Sequence, residues 1–212
     1  MASQVDIAND AAIMLGAAPI TSITDNSNQA RAFNAVWNTE RDAELRTHIW
    51  KFSLARAALP VLSTAPASGP YTSQYALPAQ CLRVVTVGDS WPAADVSDFR
   101  SGPTTDDYSV EGNLILSNLP APLSVRFVQQ ITDPGLFDAA FAKAFAAKLA
   151  FVCCFRITSS LEGQKQAMAF YKDAIREALR ANALESTPSF PADDTWVSVR
   201  MAGAGSNAIV NF

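Results

Sequence analysis

A chain of 212 residues is long enough for one well-filled core, or for one core with a satellite region. Its composition, 49% apolar and 17% charged, is ordinary for a folded soluble protein. A net charge of −4 argues against a surface that grips phosphate or reads nucleic-acid sequence, without excluding one past which a polyanion slides.

The first helix is expected through DIANDAAIMLG, with Ile7, Ala8, Ala11, Met14 and Leu15 on one face and Gly16 as its stop. A turn follows at Ala18-Pro19, after which Asp25 and Ser27 are candidate caps for a second helix over roughly 28–48. Its apolar register is Ala30, Phe33, Trp37, Leu45 and Ile49, interrupted by the charged run TERDAE. That interruption predicts a middle section facing water or a neighbouring subunit. The period then changes. KFSLARAALPVL alternates and stops at Pro60, so it reads as a strand, and residues 63–73 form a small-residue and proline loop. CLRVVTVG is a second strand closed by Gly88 and Asp89, while residues 90–107 suggest no element.

YSVEGNLILSN is the clearest hairpin, with its turn at Gly112-Asn113, where both residue types tolerate positive φ. LSVRFVQQ alternates Leu123, Val125 and Phe127 against Ser124, Arg126 and Val128, the pattern of a half-buried strand. TDPGLF predicts a helix start with Asp133 as N-cap and Pro134 at the first position. Phe137, Phe141, Phe145, Leu149 and Val152 follow on one face, and the alanines between them predict close approach by other helices on several sides. Ser159-Ser160-Leu161-Glu162 predicts a capping box for a last helix to about Asn182, burying Ala167, Tyr171, Ala174, Ile175 and Ala178. The short connection makes these two helices an antiparallel hairpin.

These elements divide the chain into N-terminal helices (1–50), a β-region with loops (51–131), a C-terminal helical hairpin (132–182) and an extended arm (183–212). Lys and Arg number three against six Asp and Glu in the first part and five against six in the second. They number seven against five in the third and one against three in the arm. The basic excess is scattered over helices, as on a solvated face. The arm has no periodicity but carries Phe190, Trp196, Val197, Met201, Ile209 and Phe212, a set suited to docking on a partner.

Little in the sequence points to catalysis. G-x-S-x-G, P-loop and G-x-G-x-x-G patterns do not occur, and Met201-Ala-Gly-Ala-Gly205 follows no strand. The single histidine, His48, falls in the last turn of the second helix beside Trp50, where a hydrogen-bonding side chain suits exposed carbonyls. Carboxylate groups at Asp106-Asp107, at Asp193-Asp194 and at Glu40, Asp42 and Glu44 could in principle supply a glycosidase pair, but read better as solvated charge. Cys81, Cys153 and Cys154 lack zinc-ligand spacing with a histidine and read as buried, reduced thiols. No cofactor or metal is expected. MASQVDIAND has no basic start and an early Asp6, unlike a signal peptide, and the greasy stretch 137–155 is interrupted by Asp138, Lys143 and Lys148, unlike a membrane span.

The order of segments is more distinctive than any one of them. A-I-M-L-G is followed by I-T-S-I-T-D-N-S-N-Q-A and by W-N-T-E-R-D-A-E-L-R-T-H-I-W-K-F-S. Then come Y-A-L-P-A-Q-C-L-R-V, Y-S-V-E-G-N-L-I-L-S-N and D-P-G-L-F-D-A-A-F-A-K-A-F-A-A-K-L-A before a final helix. This order, over most of residues 5–182, resembles the tail tubular protein A family, the head-to-tail adaptors of short-tailed bacteriophages. The resemblance implies an α+β subunit in which helices from both ends of the chain form one bundle around an inserted antiparallel β-region. It implies a non-enzymatic virion protein that assembles with itself into a ring, commonly a dodecamer. That ring would lie beneath the portal protein and above a tail nozzle resembling tail tubular protein B, with double-stranded DNA passing through its lumen. LRTHIWKFSLARAAL would then be the family's helix-to-strand junction, with His48 part of that junction. Two alternatives remain: a head-completion protein of a long-tailed phage, and an adaptor with added envelope-glycan hydrolase activity.

Overall fold

The computed structural model describes residues 2–88 and 108–185, and its first element begins where a serine can cap it. Helix α1 (Gln4–Met14) starts two residues earlier than its apolar face suggested. The Ser3 hydroxyl accepts from the Asp6 amide at 3.1 Å, and the Asp6 carboxylate accepts from the Ser3 amide at 2.9 Å. This reciprocal pair satisfies two otherwise orphaned donors, and the same contacts with Ser3 hold the Asp6 carboxyl below its ordinary range. Gly16 ends the turn at φ +65°, a conformation that would strain a side chain. Helix α2 (Asn28–Thr47) is capped by Ser27, whose hydroxyl accepts from the Ala30 amide. Asp25, the other candidate, closes the preceding turn instead, accepting from the amides of Thr21 and Ser22.

Two three-stranded antiparallel sheets follow. Strands β1 (Leu54–Leu59), β3 (Cys81–Val87) and β6 (Leu123–Gln129) form one, in the order β1-β6-β3. Strands β2 (Ser73–Ala76), β4 (Tyr108–Glu111) and β5 (Leu114–Ser117) form the other, in the order β2-β5-β4. The hairpin β4–β5 turns where expected, with Gly112 at φ +59°. Strand β6 keeps its expected alternation from Leu123 to Phe127 and departs from it at Val128. Leu123, Val125 and Phe127 pack with Leu59, Tyr75, Val87 and Ile115 into a β core, while Val128, grouped with the polar face in the sequence, is fully buried in the helical core. At its end β6 is therefore covered on both faces, as the middle strand of a sheet between helices and a second sheet must be.

The C-terminal helices are α3 (Ala139–Thr158) and α4 (Leu161–Leu184). Asp133 and Pro134 open only a short 3-10 turn over Pro134–Leu136. The true cap of α3 is Asp138, whose carboxylate accepts from Ala140 and Phe141. Proline fixes φ for one turn, but the Asp138 carboxylate reaches two free amides and so sets the start. Ser159 closes α3 in the left-handed region at φ +54°. Ser160, not Ser159, caps α4 through the Gly163 amide, so the expected capping box with Glu162 does not form. Gly163 also marks close helix approach, since an added Cβ would lie 3.4 Å from the Cys154 sulfur.

Helix α3 is the centre of the molecule, touched by α1, α2 and α4. Phe141, Phe145 and Leu149 are fully buried as their spacing predicts, and the intervening alanines let the other helices come close. Trp37 meets Phe145 edge-on at 5.0 Å, and Trp50 meets Phe141 at 4.9 Å. The architecture is thus α+β, with N-terminal helices, two small sheets and a long helical pair, as the sequence predicted. Phe141→Ala should cost about 3–5 kcal/mol, from lost transfer energy plus a cavity that the helices cannot close. Urea unfolding followed by circular dichroism measures this; a loss below about 1 kcal/mol would mean that α3 is not the element on which the core is built.

Candidate functional site

The sequence-predicted interface residues Phe190, Trp196, Val197, Met201, Ile209 and Phe212 lie outside the described residues, as do Asp106, Asp107, Asp193 and Asp194. The remaining carboxylate group, on α2, is where the structure differs most from expectation. Its run TERDAE faces water only through Thr39 and Ala43. Arg41 is 4% exposed and Glu44 3% exposed, inside the subunit.

Two linked clusters account for this. Toward the helices, the Tyr171 hydroxyl on α4 donates to the Glu44 carboxylate, 2.9 and 3.0 Å from its two oxygens. Lys148 on α3 lies 3.7 Å from Glu40 and 4.0 Å from Glu44, with its ammonium 4.9 Å from the Tyr171 ring centre. The Phe151 ring lies parallel to the same ring, its centre 6.5 Å away. Toward the sheet, the Arg41 guanidinium donates to Asp42 at 2.8 Å and to Asn38 at 2.9 Å, and Asp42 accepts from Gln130 just beyond β6 at 2.7 Å. Each buried charge therefore has hydrogen-bonded or ionic partners, which is the condition for tolerating it. Chemically the arrangement holds charge still. Glu44 lies in a packed seam between three helices and opens into none of the larger hollows described below, so it is poorly placed as an acid or nucleophile.

The periodicity contained a signal for this cluster. Extending the stripe Ala30, Phe33, Trp37 at 3.6 residues per turn reaches Glu40, Arg41 and Glu44. Charged residues in register with a buried face can be buried where partners reach them. Tyr171 was on the expected buried stripe of α4, and a buried tyrosine hydroxyl needs a partner.

His48 stands at the C-terminal end of α2, where the backbone turns extended, with its ring edge-on to Trp50 at 5.7 Å. The junction is held by Asn182 near the end of α4. Its amide nitrogen donates to the Ile49 carbonyl at 2.9 Å and its oxygen accepts from the Lys51 amide at 2.8 Å, so one side chain pairs with the backbone as a strand would. Asn9 does the same to both backbone groups of Ile20. Arg46 donates to the Leu82 carbonyl, and the Trp50 indole to the Glu44 carbonyl at 3.2 Å, which completes the join to the sheet. Ile49, expected in the apolar register, is exposed because the chain leaves the helix before it.

Cys153 and Cys154 are buried free thiols, and burial pushes Cys153 up to about 12, far from the reactive thiolate form. Cys81 is only half-buried, and burial raises its thiol as well. No cluster of His, Cys, Asp and Glu among the described residues could hold a metal ion, and no helix among them is long and apolar enough to cross a membrane. On the first sheet, Arg56 and Arg126 face each other directly across β1 and β6 beside a hollow of about 310 Å³. Burial, with Arg56 adding to it, lowers the Arg126 guanidinium from its ordinary value, and neither arginine is without a partner. No protein-family model matches the chain, and no curated protein is significantly similar to it.

Burial, and then the carboxylates of Glu44 and Glu40, push the Tyr171 hydroxyl well above its ordinary value. A raised value in the folded state leaves stability intact below the unfolded tyrosine value of about 10 and removes it as pH climbs through the folded one. The folded chain should accordingly lose stability above about pH 10, and Tyr171→Phe should flatten that loss while costing about 1–3 kcal/mol at pH 7. Urea midpoints across pH 7–11 for both chains measure this, and parallel curves would remove Tyr171 as the cause.

Proposed function

We propose that this chain is a head-to-tail adaptor of a short-tailed bacteriophage, a structural subunit of the virion without catalysis. The observation that supports the reading best is architectural. Helices from the two ends of the chain close into one bundle and the strands between them form a separate β layer, which is the layout that the ordered motifs of the resemblance imply. The α2 carboxylates, the described group best suited to a glycosidase pair, are bound to Tyr171, Lys148, Arg41 and Gln130, which favours an assembly part over a hydrolase.

The function would be geometric. Identical subunits meet laterally through one heterologous interface, and such an interface closes a ring when its rotation fits, here commonly a dodecamer. One face of the ring meets the portal protein and the other a tail nozzle resembling tail tubular protein B, and double-stranded DNA passes through the lumen. A net negative subunit suits that passage, because like charge limits phosphate contacts that would hold the genome back. The subunit would be made in the host cytoplasm and incorporated beneath the portal vertex.

Analytical ultracentrifugation of the full chain, alone and with the portal protein of the same genome, tests the reading. The expected result is a faster-sedimenting species that contains both proteins, whether the ring forms beforehand or on the portal; a persistent monomer that ignores the portal would sink the proposal. Deleting residues 186–212 should leave the helical and β cores intact and abolish joining to the portal. Undiminished joining by the shortened chain would show that the arm is not the docking element.

A further inference from the structure

Helix α4 turns one face to the bundle through Ala167 and Ala178, and its opposite face is exposed. At about 100° per residue, Glu162, Lys165, Ala169, Asp173 and Arg176 lie within about 40° of one line along that outer face. The four charged side chains are between 68% and 76% exposed. Within the helix Lys165 pairs with Glu162 at 3.2 Å and Arg176 with Asp173 at 3.0 Å, exposed contacts that contribute little by themselves. Phe170, 61% exposed, and Met168, 41% exposed, flank the stripe on either side. Phe170 also borders a hollow of about 460 Å³ lined by Met14, Ala147 and Ala174.

The order of charges in the stripe identifies an occupant. Read from Glu162 it runs acid, base, alanine, acid, base; read from Arg176 it runs base, acid, alanine, base, acid. A second copy of α4 laid antiparallel about Ala169 therefore brings every acid level with a base. Glu162 meets Arg176 of the second copy, Lys165 meets its Asp173, and the reverse pairs follow by symmetry. Gln166 comes level with Lys172, and no two like charges share a height along the seam. Laid parallel about the same residue, the two helices would set each charge level with its like, so the pattern selects one orientation and opposes the other. Alanine at the crossing lets the two axes approach to about 8 Å. The two-fold axis sets both Phe170 side chains on one side of the seam and both Met168 side chains on the other, so apolar surface flanks the charges.

We propose that the outer face of α4 is a docking surface for a second copy of this chain, bound as an antiparallel two-fold pair centred on Ala169. The proposal concerns the free subunit and does not rest on the adaptor reading. An isologous pair closes on itself and cannot extend into a ring, so in an adaptor it would hold free subunits apart from the ring until a stronger contact displaced it.

The contact spans about 21 Å of helix from each copy, at 1.5 Å per residue. Sedimentation of the full chain alone at low salt, from about 10 to 500 μM, should show a monomer–dimer equilibrium with a Kd of about 10–100 μM, as a small and charged interface gives. Two variants then test the register. Lys165→Glu with Arg176→Glu makes the stripe wholly acidic, and Glu162→Lys with Asp173→Lys makes it wholly basic. Each alone should be monomeric, and an equal mixture should recover dimer with an affinity within about threefold of the natural chain. Circular dichroism should be unchanged, since all four side chains are exposed, and recovery in the mixture excludes misfolding as the cause of the losses. In an otherwise natural chain, Ala169→Cys oxidised with glutathione disulfide should give a two-chain product whose mapped bond joins position 169 to position 169. A natural chain that stays monomeric at 500 μM, an assembly that persists in either variant alone, a mixture with no gain, or a bond mapped elsewhere would each overturn the proposal. None of these outcomes bears on sedimentation with the portal protein, so the two proposals fail separately.

Discussion

Helix α3 has no side that can be left in water along most of its length, and the fold is arranged around covering it. Between Phe141 and Cys154 its only charges are Lys143 at the rim and Lys148 in the seam with α2 and α4. An amphipathic helix needs one neighbour, but this one needs them on several sides, and α1, α2 and α4 supply them. Because α1 and α2 come from the start of the chain and α4 from beyond α3, the segment between must leave the bundle and return. The two sheets are that excursion, and β6 brings the chain back beside the helices with Val128 already in their core. Alanine between the phenylalanines sets how near the helices stand, and the aromatic contacts of Trp37 and Trp50 fix which part of α2 and its junction lies over which turn of α3.

Against so apolar a centre, the paired charges of α2 have a distinct effect. Well-packed apolar side chains of similar volume often stabilise such a seam as well or better, since desolvation offsets much of an ion pair's attraction. What the charges add is directional. Glu44 is satisfied only when Tyr171 and Lys148 face it, and Asp42 only when Gln130 does, so sliding α2 by one turn would strand several buried groups. The Asn182 clamp on Ile49 and Lys51 serves the same end at the point where helix becomes strand. The proposed adaptor role, being geometric, would depend on such fixed joints more than on total stability.

Much of this was legible in advance. The two helix periods, the alternation of β6 as far as Phe127 and the glycine turn at Gly112 all rest on local patterns, and each was found; of the expected face of α4, Ala167 and Ala178 are buried while Tyr171, Ala174 and Ile175 are half-buried. The misses share a cause. Asp133 resembled a cap because it precedes a proline, but Asp138 had the better geometry with two amides. The run TERDAE resembled solvent-facing charge, because only the tertiary fold brings Tyr171, Lys148 and Gln130 to it. The apolar hollow of about 460 Å³ over Ala147 was the least legible feature, since its wall residues Met14 and Phe170 lie more than 150 residues apart and each, taken alone, is an ordinary surface residue.

By itself the sequence determined most of the helices and strands, though not β2 (Ser73–Ala76) or the 3-10 turn Lys51–Ser53 that precedes β1, and that α3 would be enclosed. These follow from side-chain period, capping groups and the steric demands of single residues, all of which act over a few positions. Tertiary structure alone decided that Arg41 and Glu44 are internal, that the end of β6 is covered on both faces, and that α1 and α4 leave a hollow over α3. Those outcomes depend on which surfaces are brought together across large sequence distances. Burial of a charge is favourable or ruinous according to the partner that arrives, and a local pattern carries no record of that partner.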